Sequence, residues 1–195
     1  MWAAGVDEAG RGPIAGPVVA ACVVLPLRHT LMGIADSKQL TPAQREALYA
    51  AITQHALAWA IGIASPREIE RYNILQASLL AMRRAILALP LTPQQVLVDG
   101  KHLIPSLPLP QQAVVDGDAR EESIAAASIV AKVARDRIMR ELDRLYPRYG
   151  FAQHKGYPTP LHLQRLQMYG ACPAHRRTYA PVAQLRLLAT TAEVE

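Results

Sequence analysis

Gly5-Val6-Asp7-Glu8-Ala9-Gly10-Arg11-Gly12-Pro13 sets two adjacent carboxylates where an apolar strand should end, then follows them with a Gly-Arg-Gly turn. Beyond the turn, Val18 to Leu25 is a continuous apolar, β-branched run, the pattern of a strand buried on both faces. Trp2 to Ala9 and Val18 to Leu25 therefore read as a hairpin turned at Gly12 to Pro17. Working outward, Thr41-Pro42 supplies an N-cap and a first-turn proline for a helix reaching about His55. Ala56 to Ala64 reads as a third strand. Ser65-Pro66 opens a short helix through Arg71, and Asn73 caps a longer one from Ile74 to about Leu89, apolar at helical spacing. Gln95 to Gly100 reads as a fourth strand and Gln112 to Val115 as a fifth, which runs into Asp116-Gly117-Asp118. A long helix is expected from about Glu121 to Tyr146, rich in small residues at its start and stopped by Pro147. Strands first, then strands alternating with helices, predict an α/β fold with a mixed five-stranded sheet flanked by helices. Residues 1–146 form that unit, and 147–195 form a helical and loop-like extension packed on it.

The chain has 195 residues, about half of them apolar, and a formal net charge of +5. That is a globular composition, and its charge suits a polyanionic substrate. Cys22 and Cys172 lie far apart with no C-x-x-C pair, which predicts free thiols and no structural zinc. The opening residues lack a basic region followed by a clean apolar stretch, and the apolar run from Pro13 to Leu27 is broken by Gly16 and Pro17 and is too short to cross a bilayer. A cytoplasmic protein with no membrane partner, monomeric by default, is expected.

The chemistry gathers at strand ends. Asp7, Glu8, Asp99 and Asp118 (or Asp116) each fall at the end of an apolar strand beside a glycine-containing turn. Carboxylates collected at one end of a sheet repel and desolvate one another, so they call for a cation. Oxygen donors without cysteine point to a hard ion, Mg²⁺ or Mn²⁺, and to phosphoryl chemistry by two metals about 4 Å apart. Successive residues of a regular strand face opposite sides. Asp7 and Glu8 can share one site only if the strand ends or distorts there, as Gly10 and Gly12 would permit. The unobstructed Gly10-Arg11-Gly12 backbone suits a phosphate or a sugar hydroxyl.

With those residues in view, a resemblance becomes specific. The Asp7 to Pro13 segment, Asp36-Ser37-Lys38, Leu97-Val98-Asp99-Gly100, Ala126 through Asp136 and His154-Lys155-Gly156-Tyr157 resemble, in order, the motifs of ribonuclease HII, the bacterial type 2 ribonuclease H. The likeness spans Val6 to Tyr179. It implies an RNase H-like fold and Mn²⁺- or Mg²⁺-dependent cleavage of RNA paired to DNA, including a single ribonucleotide embedded in duplex DNA, leaving 3′-hydroxyl and 5′-phosphate ends. It thus implies a role in ribonucleotide excision repair. It implies Asp7, Glu8, Asp99 and Asp118 as catalytic metal ligands, with Asp116 as the second choice for the fourth, and Asp136 as structural. It assigns Gly10, Arg11, Gly12 and Tyr157 to recognition of the 2′-hydroxyl, the group that separates RNA from DNA at one nucleotide. Ser37, Lys38, His154 and Lys155 are expected on the substrate, the basic ones at phosphates. His175-Arg176-Arg177 would extend the duplex-binding surface. Gln184-Leu185-Arg186-Leu187-Leu188 resembles a short peptide that docks on a bacterial sliding clamp.

Two other classes compete. A binding module that had lost catalysis would be expected to lack one of the four carboxylates, and none is missing. A phosphatase acting on small phosphoesters would leave the basic C-terminal third without a role.

Overall fold

The computed structural model describes residues 2–29, 31, 33, 34 and 40–185. Five strands form one sheet in the order β3-β2-β1-β4-β5: β1 (Ala3–Ala9), β2 (Val18–Val24), β3 (Ala58–Ala64), β4 (Gln95–Asp99) and β5 (Gln111–Val114). The first three are antiparallel neighbours, while β4 and β5 run parallel to β1, so the sheet is mixed as expected.

The central hairpin is apolar on both faces, and each face is covered by helix. On one side Ala4, Val6, Ala20 and Cys22 pack with Ile69, Ala81 and Met82 of α2 (Pro66–Leu87). On the other, Ala21 and Val23 pack with Ile52 of α1 (Pro42–His55) and with Ala126, Ile129 and Val130 of α4 (Glu122–Leu145). Small residues let α4 come close. A Cβ on Gly5 would stand 2.2 Å from the Ser123 carbonyl carbon, so any side chain there would force α4 off the sheet. That contact fixes the start of α4 against the strand that carries Asp7 and Glu8.

Local signals account for the helix boundaries. Thr41 and Ser65 each accept with the side chain from the third backbone N–H of their helix and donate their own backbone N–H to the side chains of Gln44 and Glu68 in return. Asn73 interrupts α2 with φ 64°, and its Oδ1 accepts from Gln76 N at 3.1 Å, so the predicted division into two helices stands as a kink. One expectation changes. Residues 117–120 form a separate helical turn, α3 (Gly117–Arg120), before α4 begins. Asp118 therefore rides on this turn and not on a strand end.

After α4, α5 (Phe151–His154) packs back through Phe151 onto Ala15 and Met139, and α6 (Pro160–Tyr169) through Leu166 onto Ile14, joined there by Val182 from the chain beyond α6. Both cysteines are free and buried, and burial pushes the Cys22 thiol up to about 12. Among the described residues no helix is long and apolar enough to cross a membrane.

Candidate active site

Asp7 sits opposite Ala21 on the α4 side of the sheet, and Glu8 sits opposite Ala20 on the α2 side. Alternation thus holds along β1, which stays paired with β2 through Ala9. The strand neither ends nor distorts at the carboxylates. The neighbouring strand ends instead. Pairing of β1 with β4 stops at Val6↔Val98, β4 terminates at Asp99, and Gly100 follows at φ 93°. This leaves the edge of β1 open beside Glu8, whose longer side chain reaches round it. Carboxylate oxygens of Asp7, Glu8 and Asp99 come within 4.8 Å of one another.

The three groups are held as well as gathered. Asp7 is only 6 % exposed, and its Oδ1 accepts from Glu8 N at 2.6 Å. Asp99 Oδ1 accepts from Gly117 N at 2.9 Å, which ties β4 to the α3 turn. Arg11 Nη1 approaches Glu8 Oε1 at 3.2 Å. Burial, then the charges of Glu8 and Asp99, raise the Asp7 carboxyl well above the usual range, against the pull of the Ser128 hydroxyl. Burial raises Glu8 as well, with Arg11 opposing and Asp99 reinforcing the shift. Desolvated carboxylates that resist joint ionisation are a donor set for a divalent cation, and their all-oxygen chemistry fits a hard one.

Asp118 is not part of this close trio. It lines, with Glu8 of the trio, a cleft of about 290 Å³ whose walls also include Gly10, Ser128, Lys132 and Tyr157. Asp116 is exposed, caps nothing with its side chain and does not line that cleft, which favours Asp118 of the two. Tyr157 lies against the glycine turn: a Cβ on Gly12 would stand 3.6 Å from its ring. The sequence reading passed over Ser128, Lys132 and Arg135 as cleft residues. Their i, i+4, i+7 spacing on α4 was the available signal.

Several expectations need correction. His154 is buried and cannot serve as a phosphate ligand. Its Nε2 is engaged by Tyr149 O at 2.9 Å, its Nδ1 accepts from Gly156 N at 3.1 Å, and burial lowers its pKa. His175 and Arg176 are also buried, 1 % and 0 % exposed, so of that cluster only Arg177 is on the surface. Lys155 bonds back to Ala152 O and lines a neighbouring groove with Arg140 and Gln153. Asp136 pairs with Lys132 at 2.6 Å, in keeping with a structural role. Ser37 and Lys38 lie outside the described residues, as do Arg186, Leu187 and Leu188 of the clamp-like peptide.

A family model described as Ribonuclease HII matches residues 4–182. A ribonuclease HII of Nitrosospira multiformis is 57 % identical over 184 residues, covering 94 % of this chain and 92 % of the relative. The crystal structure of a ribonuclease H2 from Pyrococcus horikoshii superposes with a TM-score of 0.81 at 31 % identity, covering 96 % of this chain and 98 % of that one. The structure of a PCNA:RNase HII complex from Archaeoglobus fulgidus gives 0.79 at 27 % identity, covering 92 % and 95 %. With carboxylates, cleft and fold in agreement, the chain belongs to the ribonuclease HII family, metal-dependent endonucleases that cleave the RNA strand of RNA–DNA hybrids.

Proposed function

We propose that this enzyme also cuts at a single ribonucleotide embedded in duplex DNA, in the service of ribonucleotide excision repair, and leaves 3′-hydroxyl and 5′-phosphate ends. One juxtaposition carries the reading: Gly10 and Tyr157 line the same cleft as Glu8 and Asp118, and the Tyr157 ring lies against Gly12. A reader of that size needs only one 2′-hydroxyl, and its distance from the carboxylates fixes which phosphate is cut. Asp7, Glu8, Asp99 and Asp118 would hold Mn²⁺ or Mg²⁺. When bound, the metal supplies Lewis-acid stabilisation of charge on the phosphate and acidifies the attacking water. The protein's own groups orient. Gly117 N–H fixes Asp99, Ser128 fixes Asp7, and Lys132 gives the cleft wall a cation suited to a phosphate oxygen. In this proposal the nucleophile is water and not the 2′-hydroxyl, so the product carries no cyclic phosphate. The enzyme is assigned to the cytoplasm, as a monomer. Residues 1–146 form the catalytic unit and 147–195 the extension that brings Tyr157 to it.

Product-end mapping tests the chemistry. Ends sealable by DNA ligase are expected, and a 2′,3′-cyclic phosphate would refute water as nucleophile. Asp118→Asn should abolish cleavage while Asp116→Asn leaves it intact; the reverse result would move the fourth ligand.

A sliding clamp is a second partner for the segment Gln184–Leu188. The A. fulgidus complex, a family relative bound to PCNA, favours it. Clamp binding that survives deletion of residues after Val182 would exclude the peptide.

A further inference from the structure

A guanidinium taken out of water is expensive unless its donors are satisfied, and it is usually met by a carboxylate. Among the described residues two arginines are buried, and every hydrogen bond they make there goes to a neutral oxygen. Arg176, 0 % exposed, donates from Nε to Gly16 O at 2.9 Å, from Nη2 to Gly10 O at 2.6 Å, and from Nη1 to Arg11 O at 2.9 Å. The Tyr179 hydroxyl accepts from the same Nη1 at 3.1 Å and donates to Arg11 O at 2.9 Å. Arg135, 1 % exposed, donates to Pro17 O at 3.0 Å, Ala15 O at 3.2 Å and Lys155 O at 3.0 Å. It lies so near the turn that a Cβ on Gly10 would stand 2.1 Å from its Nε.

The pattern has a directional consequence. No peptide bond among the described residues is cis. In a trans peptide the N–H points opposite to the preceding C=O. With the carbonyls of Gly10 and Arg11 drawn inward to Arg176, the N–H groups of Arg11 and Gly12 point outward, away from the buried cation. Neither N–H donates to another described residue. Arg135 meanwhile bridges the two segments of the cleft wall, one leading from the turn into β2 and one ending at Lys155, two residues before Tyr157.

We propose that Arg176 and Arg135 are positioning residues for ribonucleotide recognition. They hold the Gly10–Gly12 and Lys155–Tyr157 segments in register and aim the Arg11 and Gly12 N–H groups at the sugar. The inference rests on the ribonucleotide-reader assignment above and names what builds that reader.

The test is steady-state cleavage of a duplex carrying one ribonucleotide, with melting temperature and Mn²⁺ titration calorimetry on each variant. Tyr179→Phe removes one hydroxyl from the clip and leaves the buried charge in place. It should melt within about 4 °C of wild type, bind Mn²⁺ unchanged, and raise KM about threefold to tenfold, the value of one hydrogen bond, with kcat within about twofold. Arg176→Lys keeps the charge but loses the fork and should raise KM further. If that variant does not fold, Tyr179→Phe decides alone. An unchanged KM in a folded variant overturns the inference, as does a parallel loss of Mn²⁺ affinity. A wild-type protein that cleaves long hybrids but ignores the single ribonucleotide instead overturns the reader assignment on which the inference stands.

Discussion

Lowering the pH of the metal-free protein from 7 toward 4 should weaken the fold through two imidazoles, His162 and His175. Both are buried, 0 % and 1 % exposed. The Tyr157 carbonyl fixes His162 Nδ1 at 2.8 Å, His162 Nε2 faces His175 Nε2 at 3.1 Å, and His175 Nδ1 accepts from Cys172 N at 3.0 Å. One proton lies between the facing nitrogens, so protonating either ring sets two N–H groups against each other. Burial pushes each pKa down to about 4 from an ordinary 6.5. Between those values the unfolded chain binds more protons, so stability is full above about pH 6.5 and drains as pH falls toward 4. At about 1.4 kcal/mol per pKa unit each ring represents about 3 kcal/mol. The rings are in contact and each opposes charge on the other, so the two contributions are not additive, and about 3 kcal/mol is taken for the pair. With a urea slope of about 2 kcal/mol/M, the midpoint should fall by about 1.5 M.

Asp7 and Glu8 oppose this trend, since their raised pKa values favour the fold as pH falls. The assay is therefore a difference: urea midpoints of wild type and His162→Phe at pH 7, 6, 5 and 4, with chelator present. The carboxylates are common to both proteins and cancel. The variant should be the weaker at pH 7, because His175 loses its acceptor, and the gap should close toward pH 4. Midpoints that fall in parallel would refute the account of the buried pair.

Two further predictions concern the site. Asp99→Asn keeps an acceptor for Gly117 N–H but removes a charge that raises Asp7. It should lower cleavage about a thousandfold or more, the rate equivalent of several kcal/mol of lost metal-assisted stabilisation. Duplex affinity should survive, because phosphate contacts dominate it, and the metal-free melting temperature should rise; equal loss of binding and activity would argue against that division. The two reader glycines should fail differently. Gly10→Ala meets φ +100° and Arg135 Nε at 2.1 Å, and should lower stability by about 2 kcal/mol. Gly12→Ala meets only the Tyr157 ring at 3.6 Å, and should melt like wild type yet raise KM. Equal melting temperatures for the two variants would contradict the geometry.

What the sequence reveals follows from what it can encode locally. The apolar run that stops at Asp99 marks a strand end without any knowledge of the fold, whereas β1 runs on past Asp7 to Ala9. Asn73 and the Thr41 and Ser65 caps announce themselves because their signals span a few residues. The convergence of Glu8 depends on where β4 stops beside β1, a fact of pairing across ninety positions that no local pattern holds. The choice of Asp118 over Asp116 rests on the family resemblance, and its seat on a separate helical turn has no local signal. Arg176 and His154 read as surface residues because their types usually are. Arg176 is buried by the carbonyls of Gly10, Arg11 and Gly16 from the far end of the chain, and His154 by the Tyr149 carbonyl and the Phe151 and His162 rings.

The most direct measurement uses two duplexes identical except for one oxygen atom, a single ribonucleotide in place of one deoxyribonucleotide. Incubated with Mn²⁺ or Mg²⁺, the first should be cut once, at the ribonucleotide, and the second not at all, with cutting lost on chelation. Comparable cleavage of the all-DNA duplex, or cleavage that persists in chelator, would contradict the joint reading of the carboxylates and the glycine turn.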